Sequence, residues 1–421
     1  MLASKAQPPS VKRPRLAILF HRLGPYHHAR VRAAATLGDV IAVETVPVDA
    51  TYAWQPINGS QGFRKVTLFL VRETRPHSMP EVTRRVSTVL NDAEPSVVAI
   101  PGWSDLAALA ALRWARGRGV PVVLMTETAA ENAMSGRLRN LARRAIVRHC
   151  SAALVGGRRS RDFVVTLGMP VERVQVGYDV VDNHHFETRA DVARRRATVE
   201  RERLRLPGRF FLASGRFIAV KNFSGLLHAF AGYRAAAGAQ GWSLVLLGDG
   251  DLRSALEHLA HELGIADKVV LPGFKQYDEL PTYYGLASAF IHCSTVEAWG
   301  LVINEAMATG LPVIVSNRCG CAPDLVEEGV NGFTFDPRDT GRLVSLMLKV
   351  AGGECDLGAM GQASRRMIGR WSLELFARSL WNGAATATGS GMPEVGLLDR
   401  ALFRALLAVR GVAPKGLAQP R

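Results

Sequence analysis

No run in this 421-residue chain is long and apolar enough to cross a membrane as a helix: runs such as VVAIP and VVLM are strand-sized, against the roughly 18 residues a span needs. No secretory leader is expected either. Basic residues precede an apolar run in MLASKAQPPSVKRPRLAILFHR, but that run lasts five residues, against about 7–15 in a signal peptide. Residues 1–14 read as a disordered leader before a first strand. The expected location is the cytoplasm, with room for peripheral contact on the inner face of the cell membrane. Cysteine is scarce: Cys150, Cys293, Cys319, Cys321 and Cys355 are odd in number and include no C-x-x-C. That pattern argues against a disulfide framework or a zinc site and for reduced thiols. The single-residue spacing of Cys319 and Cys321 has no second cluster to complete it.

Apolar residues make up 48% and charged residues 21% of the chain, a globular composition. The length suits two domains of about 200 residues. Charge is uneven. Residues 1–205 carry 32 Lys and Arg against 18 Asp and Glu, a balance of +14, whereas residues 206–421 carry 20 against 19, or +1. A basic first half is suited to an anionic partner such as phospholipid, a lipid diphosphate or nucleic acid. Aromatic residues interleaved with its arginines are largely missing, which counts against base stacking on nucleic acid.

Short β-branched runs alternate with stretches of helical period. Strands are expected at RLAILF (15–20), VIAVETV, VTLFLV, SVVAI, PVVLM and AALVG, with helices near 26–37, 80–92, 104–117, 136–148 and 158–167. A charged segment, ETRADVARRRATVERERLRLPGR (187–209), reads as helix and linker, with Arg194, Arg195 and Arg196 as solvated charge. The alternation then restarts from FFLAS (210–214) through SLVLLG, KVVLPG, AFIHC, PVIVS and GFTFD. This pattern predicts an α/β protein of two doubly wound, Rossmann-like domains facing across a cleft. The expected division is a first Rossmann-like domain at 15–205, a second at 206–370, a helix at 371–386 and a tail at 387–421.

The segment STVEAWGLVINEAMATGLPVI (294–314) holds two glutamates eight apart, Glu297 and Glu305. AFIHC is a strand, STVEAWG its carboxyl-end loop, and LVINEAMATG a helix stopping at Gly310. Glu297 therefore belongs to the loop and Glu305 to the second helical turn. The free amides of Gly300 and Leu301, at the positive end of that helix, make a site for a diphosphate. GRFIAVKN adds Arg216 and Lys221 at another strand's carboxyl end. Two cations there can hold a diphosphate and stabilise its charge as it leaves.

From about 210 to 338 the chain resembles the retaining glycosyltransferases of family 4, which have the GT-B fold. The resemblance rests on ASGRFIAVKNFSGLLHAF, LVLLGDGDLRSAL, VVLPGF, YYGLASAFIHCSTVEAWGLVINEAMATGLPVIVSN and LVEEGVNGFTFDP, in that order. More loosely, LGPYHHAR and VGYDVVDNHHF match the first half, and WSLELFARSLWNGAAT (371–386) the crossing helix. The resemblance implies that Arg216 and Lys221 hold the donor diphosphate, with the amides of Gly300 and Leu301, beside Trp299, completing its cradle. It implies that Glu305 takes the ribose hydroxyls, Glu297 the donor sugar, and the backbone near Pro272–Phe274 the base. Gly24 would let its loop approach the donor. No separate protein base is required if the leaving phosphate takes the acceptor's proton. No metal or cofactor is expected; the donor is expected to carry UDP or GDP and the acceptor to be a saccharide, a lipid-linked sugar or a small molecule.

Several features stand apart. Asp249 and Asp251 form a D-x-D, read as a turn and a helix cap rather than a metal site. His27 and His28 are candidate acceptor or sugar contacts, with packing as the other reading. Where relatives carry a histidine near the donor sugar, this chain reads MTETAAEN, so Glu127 is a candidate substitute, near Asn132. GRLRNLARRAIVRHC (136–150) is a basic amphipathic helix suited to a membrane surface or to a solvated face. The function expected is a retaining glycosyltransferase of cell-surface polysaccharide or glycolipid assembly. Alternatives are a phosphorylase or epimerase on the same fold, or a catalytically silent nucleotide-sugar or nucleic-acid-binding protein.

Overall fold

A computed structural model describes residues 14–48, 54–57, 62–70, 77–130 and 136–412; most of the expected leader, and Asn132, lie outside them. The first sheet comprises β1 (Arg15–Phe20), β2 (Asp39–Glu44), β3 (Arg64–Thr67), β4 (Val97–Pro101), β5 (Val122–Thr126), β6 (Ala152–Val155) and β7 (Val174–Val176). Its order is β3-β2-β1-β4-β5-β6-β7, with every pairing parallel. Helices α1 (Pro25–Ala35), α2 (Met79–Ala93), α3 (Leu106–Arg118), α4 (Arg137–Arg148) and α5 (Arg158–Thr166) accompany it. The central strands are buried along their length, as VVLMT in β5 shows, because helices cover both faces of a parallel sheet. Helix ends follow local chemistry: Asp105 accepts from the amides of Ala107 and Ala108 to start α3, and Gly119, at φ 69°, ends it.

Two helices, α6 (Asn183–Arg195) and α7 (Ala197–Leu204), lead into a second parallel sheet. It is built from β8 (Phe210–Ser214), β9 (Ser243–Leu247), β10 (Val269–Gly273), β11 (Ala289–His292), β12 (Val313–Ser316) and β13 (Gly332–Phe335), in the order β10-β9-β8-β11-β12-β13. Its helices are α8 (Phe223–Ala237), α9 (Arg253–Glu262), α10 (Leu280–Leu286), α11 (Leu301–Ala308), α12 (Ala322–Leu325), α13 (Thr340–Ala351) and α14 (Leu357–Ile368). The strand order reverses between β1 and β4 in one sheet and between β8 and β11 in the other, where open α/β sheets place ligands. The loops after β1, β8 and β11 therefore start at these switch points.

Several expectations need correction. The strand read at VTLFLV is Arg64–Thr67, and the short β7 was not foreseen. The domain boundary falls earlier than residue 205, because α6 buries Phe186, Ala190 and Ala193 in the second domain's core. Gly285 makes this contact possible: a Cβ there would lie 2.7 Å from the Ala190 carbonyl. Arg194 is more than solvated charge, since it bonds Asp191 and the Thr309 carbonyl at the end of α11.

After α14 the chain returns to the first domain as α15 (Leu373–Ser390), longer than expected, burying Phe376, Leu380, Ala384 and Ala387 beside β5 and β6. Asn183 ties the two crossings together, its amide donating to the carbonyls of Ile368 (3.0 Å) and Trp371 (3.2 Å). The expected tail carries a further packed helix, α16 (Leu397–Val412). Its Phe403 enters the first core against His149, and its Asp399 pairs with Arg148 of α4 at 3.0 Å. No helix among the described residues is long and apolar enough to cross a membrane.

Candidate functional site

The loop after β11 carries Glu297 into a ring of polar side chains. Its Oε2 pairs with Lys221 Nζ, lies 3.1 Å from His292 Nε2 and accepts from Ser294 Oγ at 3.3 Å. Burial works to raise the Glu297 carboxyl, but the Lys221 charge and the His292 hydrogen bond overcome it and hold it well below the usual carboxylate range. Burial keeps His292 low and neutral. Glu297 is thus an ionised acceptor fixed from three sides, with Lys221 as its counter-charge.

The backbone under Glu297 is held by Cys319-Gly320-Cys321. Gly320 N donates to the Glu297 carbonyl and Cys321 N to that of Trp299. A Cβ at Gly320 would sit 1.8 Å from the Ala298 carbonyl, so only glycine permits the approach. Both thiols are buried and pushed up by that burial. The C-G-C unit is therefore a brace for the glutamate loop.

Arg216 lies in the loop after β8, and the glycines of GDGD shape that loop. A Cβ at Gly248 would meet the Gly215 carbonyl at 1.9 Å, and one at Gly250 the Phe217 backbone at 2.8 Å. Phe217 N also donates to the Asp249 carbonyl at 2.8 Å. Asp251 does not cap α9, contrary to expectation: the capping position falls on Leu252, without a side-chain bond. Among the described residues no group of three or more His, Cys, Asp and Glu could hold a metal ion.

Gly300 takes φ 105° and opens α11 at Leu301, and the Ile303 amide donates to the Gly300 carbonyl at 2.9 Å. Trp299 departs from its expected place in the donor cradle. It is 1% exposed and lies tilted against Trp371 at 5.0 Å, with its Nε1 donating to Asn304 Oδ1 at 2.9 Å. Cβ atoms at Gly156 and Gly157 would come within 3.1 Å and 2.6 Å of its ring, so two glycines of the first domain admit it. The indole joins the domains; only its backbone is left for a donor.

Glu305 is 1% exposed on α11, and Tyr26 of α1 donates to its Oε1 at 2.6 Å. Burial pushes its carboxyl up to about 7, against the pull of that hydrogen bond. Tyr26 meets Tyr277 edge-on at 5.3 Å, and Trp54 meets Phe274 at 5.1 Å, so first-domain aromatics cover the turn expected to hold a base. Tyr26 was not singled out in the sequence; its place before two histidines in GPYHHAR gave no pattern to separate it from core.

On the first-domain side, Glu127 follows β5 and interacts electrostatically with Glu297 and Lys221 across the cleft. Burial and then the Glu297 charge push Glu127 up; burial and then the Glu127 charge push Asp179 up. Arg30, 1% exposed, balances them, pairing with Asp179 at 3.6 Å and bonding the Val180 carbonyl. Sequence reading missed Arg30 and Asp179; a charged residue on the buried face of α1 was the available signal. His27 stacks on Phe20 at 4.2 Å and burial pushes it down to about 3, so it is a neutral packing group. His28, also buried, packs on Phe63 at 5.3 Å. Neither histidine is placed as a sugar contact by this packing. Gly24 has φ −75°, open to any residue, and a Cβ there would meet nothing within 4 Å, leaving room beside the loop.

Comparison with known proteins gives this geometry a family. The family described as Glycosyl transferases group 1 matches residues 195–367, and the Glycosyl transferase 4-like domain matches residues 15–178. The chain is 34% identical over 148 residues to a GDP-mannose-dependent alpha-(1-6)-phosphatidylinositol monomannoside mannosyltransferase of Mycobacterium tuberculosis, covering 33% of this chain and 38% of that protein. It is 26% identical to an amylovoran biosynthesis glycosyltransferase of Erwinia amylovora, over 49% of this chain and 48% of that protein. These matches span half or less of the relatives' length. Among solved structures, sucrose-phosphate synthase from Thermosynechococcus elongatus has a TM-score of 0.71 at 18% identity, covering 88% of this chain and 98% of that one. Anabaena HepE in complex with UDP has a TM-score of 0.66 at 17% identity, with the same coverage. The paired Rossmann-like sheets and the two family matches, which together run from residue 15 to 367, show that the chain belongs to the group 1 glycosyltransferases of the GT-B fold.

Proposed function

We propose that the protein is a retaining, metal-independent glycosyltransferase that moves a sugar from a nucleoside diphosphate sugar to an acceptor in glycolipid or cell-surface polysaccharide assembly. The observation that carries this reading is the ionised Glu297, held by Lys221 and His292 at the head of α11, with Glu305 one helical turn beyond. In this reading Glu297 accepts hydrogen bonds from the donor sugar, and Glu305 takes the ribose. Arg216, Lys221 and the amides of Gly300 and Leu301 supply the positive charge that a leaving diphosphate needs, the part a metal plays elsewhere. The acceptor hydroxyl attacks the anomeric carbon as the carbon–phosphate oxygen bond breaks. The departing phosphate oxygen takes the acceptor's proton on the same face, which retains configuration. Glu127 lines the sugar position from the first domain.

UDP and GDP are the donors to try first, since one relative is named GDP-mannose-dependent and one fold neighbour was solved with UDP. A lipid-linked acceptor at the inner membrane face suits the basic first domain. Exposed Leu138 and Leu141 of α4, with Leu397 and Leu398 of the adjoining α16, stand among exposed arginines there.

Thermal shift with UDP, GDP, ADP, CMP and dTDP, on the parent and on Glu305→Ala, tests the donor assignment. A diphosphate at 100 times its dissociation constant adds about 2.7 kcal/mol. Stabilisation of the parent by one diphosphate, lost in Glu305→Ala, supports the reading. No shift with any at millimolar concentration refutes it.

A further inference from the structure

The carboxylate assigned to the ribose is occupied from across the cleft. Tyr26 belongs to α1 of the first domain and Glu305 to α11 of the second, yet the phenol donates to Glu305 Oε1 at 2.6 Å. The other oxygen, Oε2, is enclosed, with the Tyr284 phenol acting on the carboxyl from within the second domain, and the residue as a whole is 1% exposed. Around this bond lies a layer of aromatic contacts. Tyr26 meets Tyr277 at 5.3 Å and Trp54 at 6.1 Å, Trp54 meets Phe274 at 5.1 Å, and Gln55 N donates to Gln276 Oε1 at 3.2 Å. One carboxylate oxygen is taken and the other enclosed, so no sugar hydroxyl can reach Glu305 while this layer is in place.

We propose that Tyr26 stands in for the ribose on Glu305 and that a nucleoside diphosphate binds by displacing it, which makes Tyr26 a residue that sets donor affinity. The inference rests on the donor reading given above. A phenol brings one O–H to a carboxylate that offers two oxygens and about four acceptor sites. A ribose brings two adjacent hydroxyls and satisfies both. That difference favours exchange, because Tyr284 acts on the carboxyl from its own domain whereas Tyr26 reaches it from across the cleft. Because the phenol comes from the opposite domain, its release also lifts Trp54 from Phe274, uncovering the turn at Pro272–Phe274 for the base.

Calorimetric titration of the full chain with UDP and with GDP tests this on the parent, Tyr26→Phe, Trp54→Ala and Glu305→Ala. Tyr26→Phe keeps the ring and its packing but removes the competing hydrogen bond. It is expected to bind the preferred diphosphate about tenfold more tightly, the scale of one hydrogen bond to a charged group. Trp54→Ala, which leaves Glu305 and Tyr26 in place, is expected to bind several-fold more tightly. Unchanged or weaker binding by both variants, with Glu305→Ala still impaired, overturns the displacement and leaves the donor reading standing. Parent-like binding by Glu305→Ala, or no binding by any form, overturns the donor reading itself.

Discussion

Lys221 offers a test in which stability and chemistry separate. Its ammonium pairs with Glu297 at a site where the two side chains are 19% and 15% exposed. Removing one partner from a fully buried pair costs about 3–5 kcal/mol, because the remaining charge is stranded. Residual solvent contact here reduces that to about 2–3 kcal/mol. At about 2–4 °C per kcal/mol for a domain of this size, Lys221→Ala should lower the melting temperature by about 4–12 °C. Glu297→Gln in the same chain removes the stranded charge while keeping the side chain's shape, so the double variant should recover most of the loss. Turnover should not recover, since a transition-state donor is still gone, and should stay roughly 100-fold or more below the parent in both. Calorimetry alongside sugar transfer with the donor identified by thermal shift reads both quantities. Equal melting temperatures for single and double variants would refute the pairing as a stability element, and full turnover in either would refute the role of Lys221 in the reaction.

Arg216→Ala is expected to reduce turnover by a similar roughly 100-fold factor, measured at saturating donor. Glu305 should make stability depend on pH: its folded value, up to about 7, exceeds the ordinary 4.5, so the folded state holds the proton longer. Stability is then lost as pH rises from about 4.5 to about 7, by on the order of 3 kcal/mol, and is level above that. Urea midpoints at about pH 5 and about pH 8 should differ less in Glu305→Gln than in the parent; equal differences would refute the burial argument. Gly157→Ala would put a Cβ 2.5 Å from Asp324 Oδ2 and 2.6 Å from the Trp299 ring. A loss of about 1–3 kcal/mol in calorimetry is expected, and parent-like melting would show that the two domains do not meet there as described.

The alternation of strand and helix was legible because parallel strands buried on both faces are continuous apolar runs, and VVLMT and FFLAS announce themselves. The β11 loop and α11 were legible for a related reason: Gly300 and Gly310 punctuate the helix they bound. β7 escaped because VQV is three half-buried residues at an edge. The early domain boundary escaped because charge dominates residues 187–209, while the apolar stripe of α6 depends on Phe186, Ala190 and Ala193 finding a partner in α10. Trp299 was misplaced for a reason of direction. Its backbone adjoins the helix terminus that faces the cleft, but its ring goes where Gly156 and Gly157 leave space, and those lie more than 140 residues away. Tyr26, Arg30 and Asp179 gain their meaning only from groups on other segments: Glu305 for the first, Glu127 for the last two. No local pattern encodes such meetings.

The chain passes between the two domains twice, and Asn183 fastens the passages side by side through the carbonyls of Ile368 and Trp371. A single tether would let one domain swivel in any direction about the other. Two tethers lashed together behave as a flat spring that bends readily across its width and resists torsion. Such a double tether resists twisting of one domain about the other and so keeps the side chains of the first in register with their partners on the second.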